Sequence, residues 1–117
     1  MKIVALVAIV PADLESDLKK VAKEAGATGA TIFNARGSGV EDKRSFLSLT
    51  FEGNQTVLLY ILEEGMSKTV LKALRGFMDT NEDRGLAFTV PINHIIGLDK
   101  ALLHKFEKNI QEEERFS

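Results

Sequence analysis

The stretch Thr31-Ile32-Phe33-Asn34-Ala35-Arg36-Gly37-Ser38-Gly39 combines residue types that could hold an anion. Glycines at 37 and 39 let the backbone turn sharply and present its N–H groups, and Arg36 adds a positive charge. The pattern is not a dinucleotide fingerprint. Glu41-Asp42 follows where a helix should begin, and no third glycine stands at the required spacing. It is not a Walker loop either, which needs Gly-Lys followed by Ser or Thr. On spacing alone a flexible turn is the simpler account. A second polar stretch, Asp79-Thr80-Asn81-Glu82-Asp83-Arg84-Gly85, matches the first three oxygen-ligand positions of a calcium loop at Asp79, Asn81 and Asp83. Arg84 then occupies the glycine position and Val90 that of the bidentate Glu, so calcium is rejected.

Few other residues offer chemistry. The chain has no Cys, which removes disulfides, thiolate metal sites and cysteine nucleophiles. Its two histidines, His94 and His104, have no second metal ligand at helical or hairpin spacing, so no metal site is expected. Ser38 has no identifiable base, and no other nucleophile–base pair stands out, so the chain does not read as an enzyme. Lys19, Lys20, Lys23 and Glu24 form the polar face of a helix. With 117 residues the chain makes one domain, residues 1–117, with one core. Fifteen basic against 17 acidic residues leave a net charge of -2, without the clustered cations that nucleic acid requires.

The elements that must position these residues follow from periodicity. Ile3 to Val10 is a continuous apolar, β-branched run bounded by Pro11, which suits a central strand. It is too short to span a bilayer and lacks a following cleavage site, so a cytoplasmic location is expected. From Asp13, which can cap it, an amphipathic helix carries Leu14, Leu18, Val21, Ala22 and Ala25, and Gly26 can close it. Gly29 to Ala35 reads as a strand, Phe46 to Phe51 as a further one, Glu52 to Gln55 as a turn and Thr56 to Leu62 as a strongly apolar strand. Ser67 can cap a helix with the stripe Val70, Leu71, Leu74, Phe77 and Met78. Short strands Leu86 to Val90 and Asn93 to Ile96 are separated by Pro91. A last helix, about 99–115, carries Leu102, Leu103, Phe106 and Ile110.

This order predicts an α+β fold, a ferredoxin-like βαββαβ sandwich with an extra C-terminal helix. Each β-α-β half is expected to bring its two strands together in parallel, with both helices on one face. The other face is then apolar and bare, which points to a homo-oligomer.

Taken together, Met1-Lys2-Ile3-Val4 through Pro11, Gly29-Ala30-Thr31-Ile32 and Arg36-Gly37-Ser38-Gly39 resemble the first half of P-II signalling proteins. Gly85-Leu86-Ala87-Phe88-Thr89-Val90-Pro91-Ile92 resembles their second half, so the likeness runs over about residues 2–98. The resemblance implies a homotrimer with its sheets packed inward and adenine nucleotide (AMP, ADP or ATP) bound between protomers. The long loop, about 40–55, would dock on an enzyme, a transcriptional regulator or a membrane transporter. By position Thr31, Gly37, Gly39 and Gly85 match nucleotide-site residues, with Arg36, Ser38 and Arg84 beside them.

The departures bear on the ligand. A family lysine becomes Leu86 and another becomes Gln55, while two phosphate-holding arginines fall at Gly97 and Asp99. The glutamine that helps bind 2-oxoglutarate falls at Glu41, and the long loop has no tyrosine for nucleotidylation. Most charge-assisted phosphate contacts are absent, which suggests a divergent member outside the nitrogen-control group, with Arg36 and Arg84 as replacement cations. The alternative is a metal- or anion-responsive trimer of the CutA type, which shares the architecture.

Overall fold

The computed structural model describes residues 1–36, 54–82 and 84–116. Strand β1 (Ile3–Pro11) leads through a 3-10 turn at Ala12–Leu14 into α1 (Glu15–Glu24). Then come β2 (Thr31–Arg36), β3 (Asn54–Glu63), α2 (Glu64–Asp79), β4 (Leu86–Ile92) and α3 (Lys100–Phe116). The expected strand Phe46–Phe51 and most of loop 40–55 lie outside the described residues. Asn54 and Gln55 belong to β3, not to a turn.

The sheet has the order β2-β3-β1-β4 and every neighbouring pair is antiparallel. This corrects the expected parallel pairing within each half. β3 lies between β1 and β2, and β1 lies between β3 and β4, so each β-α-β unit is split by a strand of the other half. The ferredoxin-like α+β fold stands, with its parallel strands one place apart.

Alternation along β1 assigns the two faces. Val4, Leu6, Ala8 and Val10 are buried against Leu18, Ala22, Val70 and Leu74 of α1 and α2, with Tyr60, Leu58 and Leu62 alongside. Ile3, Ala5, Val7 and Ile9 on the other face are only half-buried. Phe33 of β2 and Phe88 and Val90 of β4 belong to that second face by register and are exposed. It is closed at Gln55 and Val57.

Helix α1 ends as anticipated at Gly26, whose φ is 114°. The Gly26 amide donates to the Lys23 carbonyl and that of Ala27 to the Ala22 carbonyl, the paired bonds of a Schellman ending. Its start differs, because Asp13 falls inside the 3-10 turn and makes no capping bond. Helix α2 begins before Ser67. Glu63 is its cap, accepting from the amides of Gly65 and Met66 at 2.9 Å each. Ser67 instead donates to the Glu64 carbonyl at 2.6 Å. Pro91 lies within β4, an edge strand, where a missing N–H costs no second ladder. Residues 93–96 form no strand.

Helix α3 crosses the end of the layer where β1 begins and β3 finishes. Phe106 is fully buried in the shared core, which stabilises the docked helix by about 1.5–3 kcal/mol. Lys105 Nζ donates to the Gly26 carbonyl at 2.8 Å, and Asn109 Nδ2 donates to Glu63 Oε2 at 3.3 Å. Leu103, expected on the buried stripe, is exposed. Among the described residues no helix is long and apolar enough to cross a membrane.

Candidate functional site

The register lines up four strand ends at the other end of the sheet. Arg36 pairs with Asn54, Gln55 with Pro11, and Ile9 with Leu86. The segment joining β2 to β3 and the loop joining α2 to β4 therefore emerge at this same end. Of the predicted site residues, Gly37, Ser38 and Gly39 lie outside the described residues, as does Asp83.

Arg36 closes β2 at one edge, while Arg84 stands two residues before β4 at the opposite edge. Three strand spacings separate these edges, roughly 14 Å. Thr31 lies five residues before Arg36 on β2, roughly 17 Å along the strand, and is exposed on the open face by register. Within one copy the backbone therefore sets Thr31, Arg36 and Arg84 far apart, Arg36 and Arg84 on opposite edges.

The loop at Arg84 is tightly specified. At the end of α2, Thr80 Oγ1 and Asn81 Nδ2 both donate to the Phe77 carbonyl, at 2.8 and 2.7 Å. These side chains satisfy a terminal helix carbonyl that has no partner within the helix. Glu82 then takes a φ of 60°, a left-handed conformation that turns the chain toward β4. Arg84 Nη2 donates to both carboxylate oxygens of Asp13, at 2.9 and 3.1 Å. Both side chains are largely open to solvent, 42% for Arg84 and 62% for Asp13, so this pair holds the guanidinium loosely.

Gly85 has a packing reason. A Cβ there would stand 2.8 Å from Val10 Cγ1 and 3.0 Å from Met78 Cε. The loop thus lies directly on the core at Gly85, next to Arg84. Asp13 is a functional candidate that sequence reasoning missed. It stands 71 residues from Arg84, and no local pattern links the two.

The positions that would carry two further cations have other uses. Gly97 turns the chain with a φ of 83°. Asp99 caps α3, its Oδ1 accepting from the Ala101 amide at 2.7 Å. Leu86 is half-buried at the start of β4. His94 and His104 are both exposed, and no group of three His, Cys, Asp or Glu side chains among the described residues could hold a metal ion.

The fold has counterparts among solved structures. A PII-like signalling protein from Thermus thermophilus superposes with a TM-score of 0.56 at 22% identity, over 79% of this chain and 87% of that one. The apo form of CPII from Thiomonas intermedia, a nitrogen regulatory PII-like protein, gives 0.62 at 15% identity over 79% and 90%. CPII bound to ADP, AMP and acetate gives 0.58 at 15% identity over 80% and 90%. At these identities the likeness establishes the fold. No curated protein matches the sequence significantly. The family model for nitrogen regulatory protein P-II matches residues 2–100, and the chain belongs to that family.

Proposed function

We propose that this chain is a P-II-type signalling protomer that binds an adenine nucleotide between copies and regulates a partner through residues 40–55. The observation that carries the reading is the separation of Arg36 and Arg84 onto opposite edges of one sheet, beside an open apolar face. Copies packed by that face bring unlike edges together, so Arg36 of one copy meets Arg84 of the next. Burial of Phe33, Phe88 and Val90 drives the assembly. A homotrimer is the closed form of such a head-to-tail contact.

With the family lysines and arginines absent, AMP and ADP suit the two remaining cations better than ATP does. The CPII structures holding ADP and AMP support the same ligand class. Gly37, Ser38 and Gly39 supply backbone donors to phosphate, and Thr31 and Gly85 line the cleft. The signal is a change in residues 40–55, read by an enzyme or a membrane transporter, and no catalytic step is involved.

Isothermal titration at about 0.1 mM protein checks the ligand. AMP or ADP should give saturable heat, weakened roughly tenfold by Arg36→Ala or Arg84→Ala, the loss of one charged contact. Absence of heat with AMP, ADP and ATP sinks the nucleotide assignment. Sedimentation equilibrium checks the assembly, with a trimer expected and a monomer for Phe88→Asp.

A further inference from the structure

The polar face of α1 carries more than solvated charge. Ser16, Lys19, Lys20 and Lys23 recur at i, i+3, i+4 and i+7, one face of the helix. That face borders a cleft of about 520 Å³ whose other wall is the segment Ala27–Ala30. Among the described residues no acidic side chain lines this cleft. None of the three lysines forms an ion pair among the described residues, although Asp13, Glu64 and Asp79 pair with other cations.

An independent observation comes from the floor. Tyr60 lines the cleft from β3 yet is only 2% exposed, and its hydroxyl has no hydrogen-bond partner among the described residues. The ring is buried while the hydroxyl oxygen is not sealed from solvent, so the O–H opens into the cleft. A ligand oxygen in the cleft can accept from it. Burial also raises the phenol's pKa above its ordinary 10.0, which keeps it a neutral O–H donor. The C-terminal dipole of α1 opposes an anion here. Lys23 in the last turn offsets it, as does Lys105, which donates to the Gly26 carbonyl and to Thr28 Oγ1 at 2.8 and 3.3 Å.

We infer that this cleft is an anion site for a compact phosphate-bearing small molecule, gripped by Lys19, Lys20 and Lys23 with Ser16 and Tyr60 as hydroxyl donors. Three ammonium groups on one side and hydroxyls around the floor supply donors and no fixed negative charge, which suits a polyvalent oxyanion. The cleft runs along α1 from Ser16 in its first turn to the start of β2, and its described lining includes neither Arg84 nor Asp13. It stands or falls apart from the nucleotide reading.

The chain has one tyrosine and no tryptophan, so intrinsic emission reports on Tyr60 alone. Inorganic pyrophosphate titrated at constant ionic strength should change that emission saturably, with an apparent Kd below about 1 mM. The double variant Lys19→Ala/Lys23→Ala, its fold checked by circular dichroism, should weaken binding at least tenfold, whereas Arg84→Ala should leave it unchanged. A signal that fails to saturate, or one equally strong in the lysine variant, overturns the site. A signal abolished by Arg84→Ala also overturns it, by assigning the pyrophosphate to the strand-end loops.

Discussion

The two ends of the sheet are built differently. At the end where α3 docks, polar groups find inward partners. Glu63 accepts from two helix amides and from Asn109, Lys105 closes the end of α1, and Phe106 is sealed in the core. At the other end Arg84, on a loop that includes a left-handed Glu82, pairs at the surface with Asp13 of the 3-10 turn. The first end holds layers together, and Glu63, Lys105 and Asn109 are engaged in doing so. The second leaves a cation whose present partner is weak enough for a ligand to displace. With the proposed nucleotide at the second end, fold and ligand binding would be separable by position, which substitutions can test.

The largest expected effect is at the α3 end. Phe106→Ala should cost about 3–5 kcal/mol in denaturant unfolding, with nucleotide heat per folded molecule retained. Loss of that heat in folded protein would erase the contrast between the ends. Gly85→Ala tests the converse, since the ligand end includes one residue pressed against the core. Val10 is β-branched and sits on a central strand, so it yields little, and a cost of about 1–3 kcal/mol is expected from overpacking. An unchanged unfolding midpoint would show that the loop can withdraw from Val10.

Glu63→Ala should cost about 1–2 kcal/mol, a lost cap on a helix whose first amides are part-buried. Arg84→Ala should change stability by less than about 1 kcal/mol, an exposed ion pair being worth no more, while nucleotide affinity falls roughly tenfold. A stability loss at Arg84 as large as that at Phe106 would mean that both ends serve folding alike.

The smallest effect concerns Tyr60, on the floor of the α1 cleft. Absorbance at 295 nm (roughly where phenolate absorbs) should give an ionisation midpoint above 10.0, because burial disfavours the phenolate. With the folded pKa above the unfolded one, stability is fully present below pH 10.0 and declines as pH rises through the folded value. Tyr60→Phe should remove that component of the decline.

The sequence revealed what periodicity controls. The apolar runs of β1 and β3, the stripes of α1 and α2 and the turn at Gly26 were all legible, because each depends on neighbours within a few residues. The start of α2 was not, since Glu63 ends a strand and caps a helix at once, while Ser67 looked like the better cap. Pro91 suggested a break because its place on an edge depends on the whole sheet. Antiparallel pairing and the split of each half likewise depend on strand order, which no local pattern carries. At the candidate site, Arg84 could be read as a spare cation. Its partner Asp13, and its separation from Arg36 by the width of the sheet, became apparent only from the register.

Strand order also has a consequence for how the chain comes to be folded. β1 sits between β3 and β4, so the first strand made is flanked by two of the last. Its eight apolar residues, Ile3 to Val10, gain a first neighbour only after residues 54–63 emerge from the ribosome and a second only after residues 86–92 do. Pairings this distant in sequence slow folding and prolong the exposure of sticky segments. A nascent chain halted before residue 86 should therefore be sensitive to protease and prone to capture by chaperones, and release of the full chain should abolish both.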